Sequence, residues 1–194
     1  MRSPINLNPA PSHWLRLTSL IIVSVLLLPG LSSCNRSMQS VQTEVWISSE
    51  IPELKGRIND YAGLLSSDEI EELSEISRIL EERTGAQLVI LIVPTTGERS
   101  IEDYSLAVMQ AWKIGRAGYD DGSAIVLAIQ DRRVRIELGY GTNTFFTNDM
   151  AQTVIDSFMM PSFIRGRYFE GLLNGALEMA SIIEEKTPEQ WRPE

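Results

Sequence analysis

Two short apolar runs, Leu88 to Val93 and Ser123 to Ile129, constrain this fold more than any other feature. Each is too short for a helix of ordinary length. The first is β-branched at Val89, Ile90, Ile92 and Val93. Neither alternates with polar residues, so each reads as a strand covered on both faces. Between them Ser100-x-x-Asp103 forms a capping box, followed by Leu106, Val108, Met109 and Trp112. Strand, helix, strand implies a right-handed parallel crossover. Val134, Ile136 and Leu138 then alternate with charged residues after the turn Gln130-Asp131-Arg132. That tight turn makes a third strand the antiparallel neighbour of the second. The predicted fold class is α/β, an α/β/α sandwich with a small mixed sheet.

The remaining elements are helical. Ser66-x-x-Glu69 is a second capping box, and Ile70, Leu73, Ile76 and Leu80 follow at helical spacing up to Gly85. A third helix is expected from Asn148 to Met160, ended by Pro161. A fourth begins near Tyr168, buries Leu172, Leu173, Leu177 and Ile182, and frays before Pro188. Val41, Thr43, Val45 and Ile47 alternate and suit a short edge strand. The expected organisation is a leader over residues 1–33, a tether over 34–54, a domain over 55–186 and a tail over 187–194.

The leader reading rests on Leu31-Ser32-Ser33-Cys34, which follows an apolar run from Leu17 to Leu28. Arg2 and Arg16 supply a positive n-region. The run is short of the roughly 20 residues that a spanning helix needs. Cys34 is the only cysteine. It stands where bacterial lipoproteins are cleaved and acylated, with small residues just before it. The expectation is a protein anchored by lipid to the bacterial cell envelope, facing the periplasm or the exterior.

Cleavage there removes His13, the only histidine, together with Arg2 and Arg16. No acidic residue leaves, so the net charge moves from −9 to −11. Such a surface disfavours nucleic acid as a partner. Without histidine or a free thiol, Ser-His-Asp and Cys-His nucleophiles are excluded, as are Cys/His zinc sites. Any chemistry falls to carboxylates and hydroxyls, with a hard cation such as Ca²⁺ or Mg²⁺.

The hairpin locates the candidate residues. The start of its first strand and the end of its second lie side by side. Asp120-Asp121-Gly122 precedes the first, and Gly139-Tyr140-Gly141 follows the second and leads to Asn148-Asp149. Asp120, Asp121, Glu137, Asn143 and Asp149 can therefore share one end of the sheet as oxygen ligands. Asp-Asp-Gly is also an ordinary turn sequence, and Asp149 also suits a helix N-terminus. Asp60 joins the group only if residues 57–65 cross back along the sheet. As metal ligands, the aspartates predict that Asp121→Asn lowers affinity and leaves the fold intact. Arg132, Arg133 and Arg135 at the far turn read as a solvated edge. Arg165-Gly-Arg167 could bind an anion, though a plain loop explains it as well.

At these residues the chain resembles the TPM-domain family, which includes thylakoid-lumen proteins linked to photosystem II repair, a receptor-auxiliary protein and many bacterial envelope proteins. The resemblance is carried by Ile58-Asn-Asp-Tyr-Ala-Gly-Leu-Leu-Ser66, Thr84-Gly-Ala-Gln-Leu-Val-Ile-Leu, Asp121-Gly-Ser-Ala-Ile-Val-Leu and Arg133-Val-Arg-Ile-Glu-Leu-Gly-Tyr-Gly141. Pro161-x-Phe163, Gly166-x-Tyr168 and Gly171 fit as well. It implies an α/β/α sandwich and divalent-metal binding at acidic loops, with Asp60, Asp121 and Asp149 at the family's acidic positions. It also implies a weak acid phosphatase activity in some members. Thr142-Asn143-Thr144 departs from the acidic residue many members carry there. The functional expectation is a membrane-tethered, metal-binding accessory module of an envelope protein complex. The alternative is a weak metal-dependent acid phosphatase, for which no catalytic residue is identified.

Overall fold

The computed structural model describes residues 50–194. The leader, Cys34 and the alternating stretch at 41–47 lie outside the described residues. Four strands form one mixed sheet in the order β1 (Ile58–Asp60), β2 (Gln87–Val93), β3 (Gly122–Ala128), β4 (Arg133–Leu138). β1, β2 and β3 are parallel, and β4 closes the hairpin antiparallel to β3. Among the described residues the α-helices are α1 (Ser67–Thr84), α2 (Ile101–Trp112), α3 (Asn148–Val154), α4 (Met160–Phe163) and α5 (Tyr168–Lys186). Among the described residues no helix is long and apolar enough to cross a membrane.

The unbroken apolar strands have two cores because alternate side chains serve opposite faces. Ile58, Ile90, Ile92, Ile125 and Ile136 pack with Leu73 and Leu80 of α1 and Leu172, Ala176 and Met179 of α5. Leu91, Val93, Ala124 and Val126 pack with Tyr104, Val108 and Met109 of α2. The result is the expected α/β/α sandwich. Both crossovers, β1-α1-β2 and β2-α2-β3, step the same way across the sheet, yet their helices cover opposite faces. Their hands must therefore be opposite, and one departs from the right-handed preference.

α1 starts where its capping box dictates. The Ser66 hydroxyl accepts the Glu69 N–H, and the Glu69 carboxylate accepts the Ser66 N–H at 2.8 Å. Gly85 ends the helix in the left-handed region, at φ 78°. Ser66→Ala should lower stability by about 1 kcal/mol, read as a shifted urea midpoint at unchanged slope.

Two expectations need correction. Pro161 does not end the third helix. Residues Ile155–Met159 form a π turn, and α4 follows with proline in its first turn, where the missing N–H is tolerated. α5 buries Gly171, Leu172, Gly175, Ala176, Met179 and Ile183. Leu177 is exposed and Leu173 and Ile182 are only half-buried, because the two glycines set the contact face. A Cβ on Gly171 would stand 2.4 Å from Phe163, and one on Gly175 would stand 2.7 Å from Met159. Residues on either side of these elements also pack on them. Ile51 joins the α2 core, and the Trp112 indole N–H donates to the Pro52 carbonyl at 2.8 Å. After α5, a 3₁₀ turn at Glu189–Trp191 folds back onto the loops described below.

At the hairpin turn, Asp131 accepts the Thr96 N–H at 2.8 Å and hydroxyls from Thr95 and Thr96. Desolvation alone would raise its carboxyl, but those hydrogen bonds and the charge of Arg133 hold it below the ordinary value. A depressed folded value means stability present above the ordinary carboxylate range and lost as pH falls below it. Asp131→Asn should therefore show a smaller fall in melting temperature between neutral and acid pH than the parent chain.

Candidate functional site

Two loops meet at the end of the sheet where β3 begins and β4 ends. They touch through backbone, because glycine leaves no side chain between them. The Gly139 N–H donates to the Gly122 carbonyl at 2.8 Å, and the Gly141 N–H donates to the Asp120 carbonyl at 3.0 Å. A Cβ on Gly139 would lie 2.2 Å from the Asp120 oxygen, and one on Gly141 would lie 1.8 Å from the Tyr119 oxygen. The loops therefore fix the direction of Tyr140, which is 85 % exposed. Asp120 sits at the junction with φ 50°, and its side chain faces solvent. Beside it opens a cavity of about 550 Å³, lined by Leu106, Met109, Ile114 and Leu138 together with Asp120, Asn143, Asn148 and the charged Lys113, Arg116 and Glu137.

Asp121 points the other way. It is 1 % exposed. One carboxylate oxygen accepts the Arg116 backbone N–H at 2.8 Å, and the other accepts Arg116 Nε at 2.7 Å. A second guanidinium nitrogen stands 2.6 Å away. The same guanidinium donates to the Trp191 carbonyl at 2.8 Å and to the Thr84 carbonyl at 3.4 Å, and lies 4.2 Å from the Tyr119 ring centre. The Trp191 ring meets Tyr119 and Phe145 edge-on, at 5.7 and 6.1 Å between centres. Arg116 thus ties the α2–β3 loop, the end of α1 and the chain's last turn into one knot.

The other candidates divide as follows. Asp149 is exposed in the first turn of α3, whose cap is Thr147 instead of Asn148. Glu137 is turned under α2, accepting the Ser105 hydroxyl at 2.9 Å and Arg135 Nε at 3.1 Å. Asp60 is set apart. It pairs with Ile92 at the far end of β2, while Asp121 precedes the residue paired with Gln87. At ~3.3 Å per strand residue the separation is about 20 Å. Its oxygens accept the N–H groups of Ala62, Leu64 and Leu65 at 3.0, 2.6 and 2.7 Å. Residues 57–65 do not cross back, so Asp60 is a turn-forming residue outside the cluster. Among the described residues, no group of three or more Asp, Glu, His or Cys is placed to hold a metal ion. A closed cage of aspartates does not fit this site, because Asp121 is filled by Arg116 and Asp60 is absent. Sequence reasoning overlooks Trp191, whose one local signal is a tryptophan set in a charged tail.

A family model for the TPM domain matches residues 58–182, and the chain belongs to that family. The fold is shared with solved structures. The N-terminal domain of a protein from P. gingivalis is 28 % identical with a TM-score of 0.63, over 68 % of this chain and 86 % of that one. The BA42 protein of the psychrophilic bacterium Bizionia argentinensis is 18 % identical, TM-score 0.59, over 70 % and 93 %. The N-terminal domain of cg2496 from Corynebacterium glutamicum is 16 % identical, TM-score 0.54, over 68 % and 83 %. No curated protein matches the chain.

Proposed function

We propose that this TPM domain is an accessory module of the bacterial cell envelope, anchored through an acylated Cys34, which docks on a larger protein complex through the loops around Tyr140. The observation that carries this reading is Tyr140 itself. It is a large aromatic side chain, almost wholly exposed, held by two glycines too closely packed to accept a Cβ. Tyrosines of this kind supply binding energy at low entropic cost, and here the loop is ordered in advance. The adjoining cavity, lined by both apolar and polar residues, offers a partner a place to insert a side chain. The phosphatase alternative loses support at Arg116, since the guanidinium that could clamp a phosphoryl group is bound by Asp121 and by carbonyls.

Cation binding takes a reduced form in this reading. Asp120, with Asn143 and Asn148 lining the same cavity, could hold Ca²⁺ or Mg²⁺ only weakly and with most of its waters kept, since Lys113 lines that cavity too.

A photo-crosslinking amino acid placed at Tyr140 of the full chain, expressed in a bacterium of its own lineage, tests the docking face. One discrete envelope-protein adduct is expected there, and none from the same probe at Glu185 on α5. Identical adducts at both positions, or none at Tyr140, would refute the docking face.

A further inference from the structure

At the opposite end of the hairpin lies a second cavity, of about 450 Å³. Its walls are apolar: Leu127, Val134, Met160, Phe163 and Tyr168, with Ile164 as a lip that is 78 % exposed. Its charge comes from two exposed arginines, Arg132 and Arg133, and no acidic side chain lines it. Among the described residues neither arginine makes a salt bridge, although the charge of Arg133 is felt by Asp131 next to it in the turn. The acidic residue between the β-strands of this turn, Asp131, is turned toward Thr95 and Thr96. Arg165, also exposed, follows the lip. A cationic rim over an apolar pocket runs against the charge of the chain, which is −9. Arg132 has φ 54°, in the left-handed region where glycine or asparagine is the ordinary occupant of a turn. A solvated edge strand needs neither that conformation nor a pocket behind it.

We infer that this cavity binds a single-chain lipid anion, its hydrocarbon chain laid against Val134, Met160, Phe163 and Ile164 and its acidic head group held by Arg132 and Arg133. The size falls in the range of small-ligand pockets. Guanidinium groups suit a carboxylate or a phosphate because both offer two oxygens to a planar fork. Apolar burial supplies the affinity that a surface ion pair alone does not. The site is separate from the Tyr140 face and stands or falls independently of it.

Calorimetric titration of the full chain with short lipid anions below their micelle concentrations tests this. Dodecanoate and monododecyl phosphate are expected to bind one-to-one. Binding of one and not the other would assign the head group within the class. Acetate and inorganic phosphate, lacking the chain, should bind at least about tenfold more weakly. Dodecyltrimethylammonium, with the chain and the opposite charge, should not compete. The double variant Arg132→Gly, Arg133→Gln should lose about tenfold in affinity for both anions. Its thermal midpoint should be preserved, because glycine suits the left-handed position better than arginine. Ile164→Ser, on the exposed lip, tests the apolar half and should weaken binding about threefold. Equal affinity for the dodecyl anions and their chainless counterparts would overturn the inference. So would binding of the dodecyl cation as tightly as the anions, or unchanged affinity in the double variant.

Discussion

Asp121→Asn should lower the melting temperature of the domain by about 10 °C, where the ligand reading of this residue expects an unchanged fold. Removing one partner of a buried ion pair costs about 3 kcal/mol when the other stays behind, and a domain of this size loses roughly 2–4 °C for each kcal/mol. Asp121 is 1 % exposed, and its two oxygens take three donors from Arg116. Asparagine offers one oxygen and turns an N–H₂ toward a backbone N–H or a guanidinium, donor against donor. Arg116 cannot simply swing into water, because its guanidinium is also bonded to the Trp191 carbonyl. Arg116→Lys should be nearly as damaging, since an ammonium cannot serve a bidentate carboxylate and a distant carbonyl together. Asp120→Asn is the control. Its carboxylate is exposed, so the fold should melt as before while any Ca²⁺ or Mg²⁺ binding falls. Scanning calorimetry of the three variants settles the assignment. Wild-type melting in Asp121→Asn would mean that the pair does not hold the loops.

The contrast between Asp120 and Asp121 shows where sequence reading succeeds and where it stops. Local signals suffice for α1, whose Ser66 and Glu69 caps lie three residues apart, and for β2 and β3, whose apolar runs admit few other states. The hairpin register follows from the turn, and it places the 120–122 and 139–149 segments together correctly. Adjacent aspartates in a turn carry no local mark of which one faces inward. That choice depends on Arg116, and the position of Arg116 depends on Trp191, which is 75 residues away. β1 is not legible for the same reason. Three residues, Ile58–Asp60, show no period, and only pairing with Ile90 to Ile92 makes them a strand. Without that strand, the sequence leaves Asp60 conditional on residues 57–65 crossing back, and only the family resemblance sets it beside Asp121 and Asp149. Pro161 illustrates a different limit. The rule that proline stops a helix assumes a regular turn before it, and the π turn at Ile155–Met159 removes that assumption.

Gly141→Ala should be as destabilising as breaking the ion pair, for a purely steric reason. Gly141 has φ −66° and ψ −50°, a conformation that alanine adopts freely, so no backbone strain enters. The new methyl would instead lie 1.8 Å from the Tyr119 carbonyl oxygen and 3.1 Å from that of Asp120. The neighbour is backbone, so no rotamer change relieves the clash. The β4–α3 loop must move off the α2–β3 loop, and the Gly141 N–H loses the Asp120 carbonyl. Overpacking of this kind costs about 3 kcal/mol, or about 10 °C in melting temperature. Tyr140 moves with the loop, so its crosslinked adduct should disappear in the same variant even at temperatures where the domain remains folded. Gly118→Ala provides the comparison. That glycine has φ 86°, and an added methyl would meet nothing within 4 Å, so its cost is conformational, about 1 kcal/mol. Thermal melts that fall equally for Gly118→Ala and Gly141→Ala would show that the two loops are not locked by contact, and the preordered presentation of Tyr140 would fall with them.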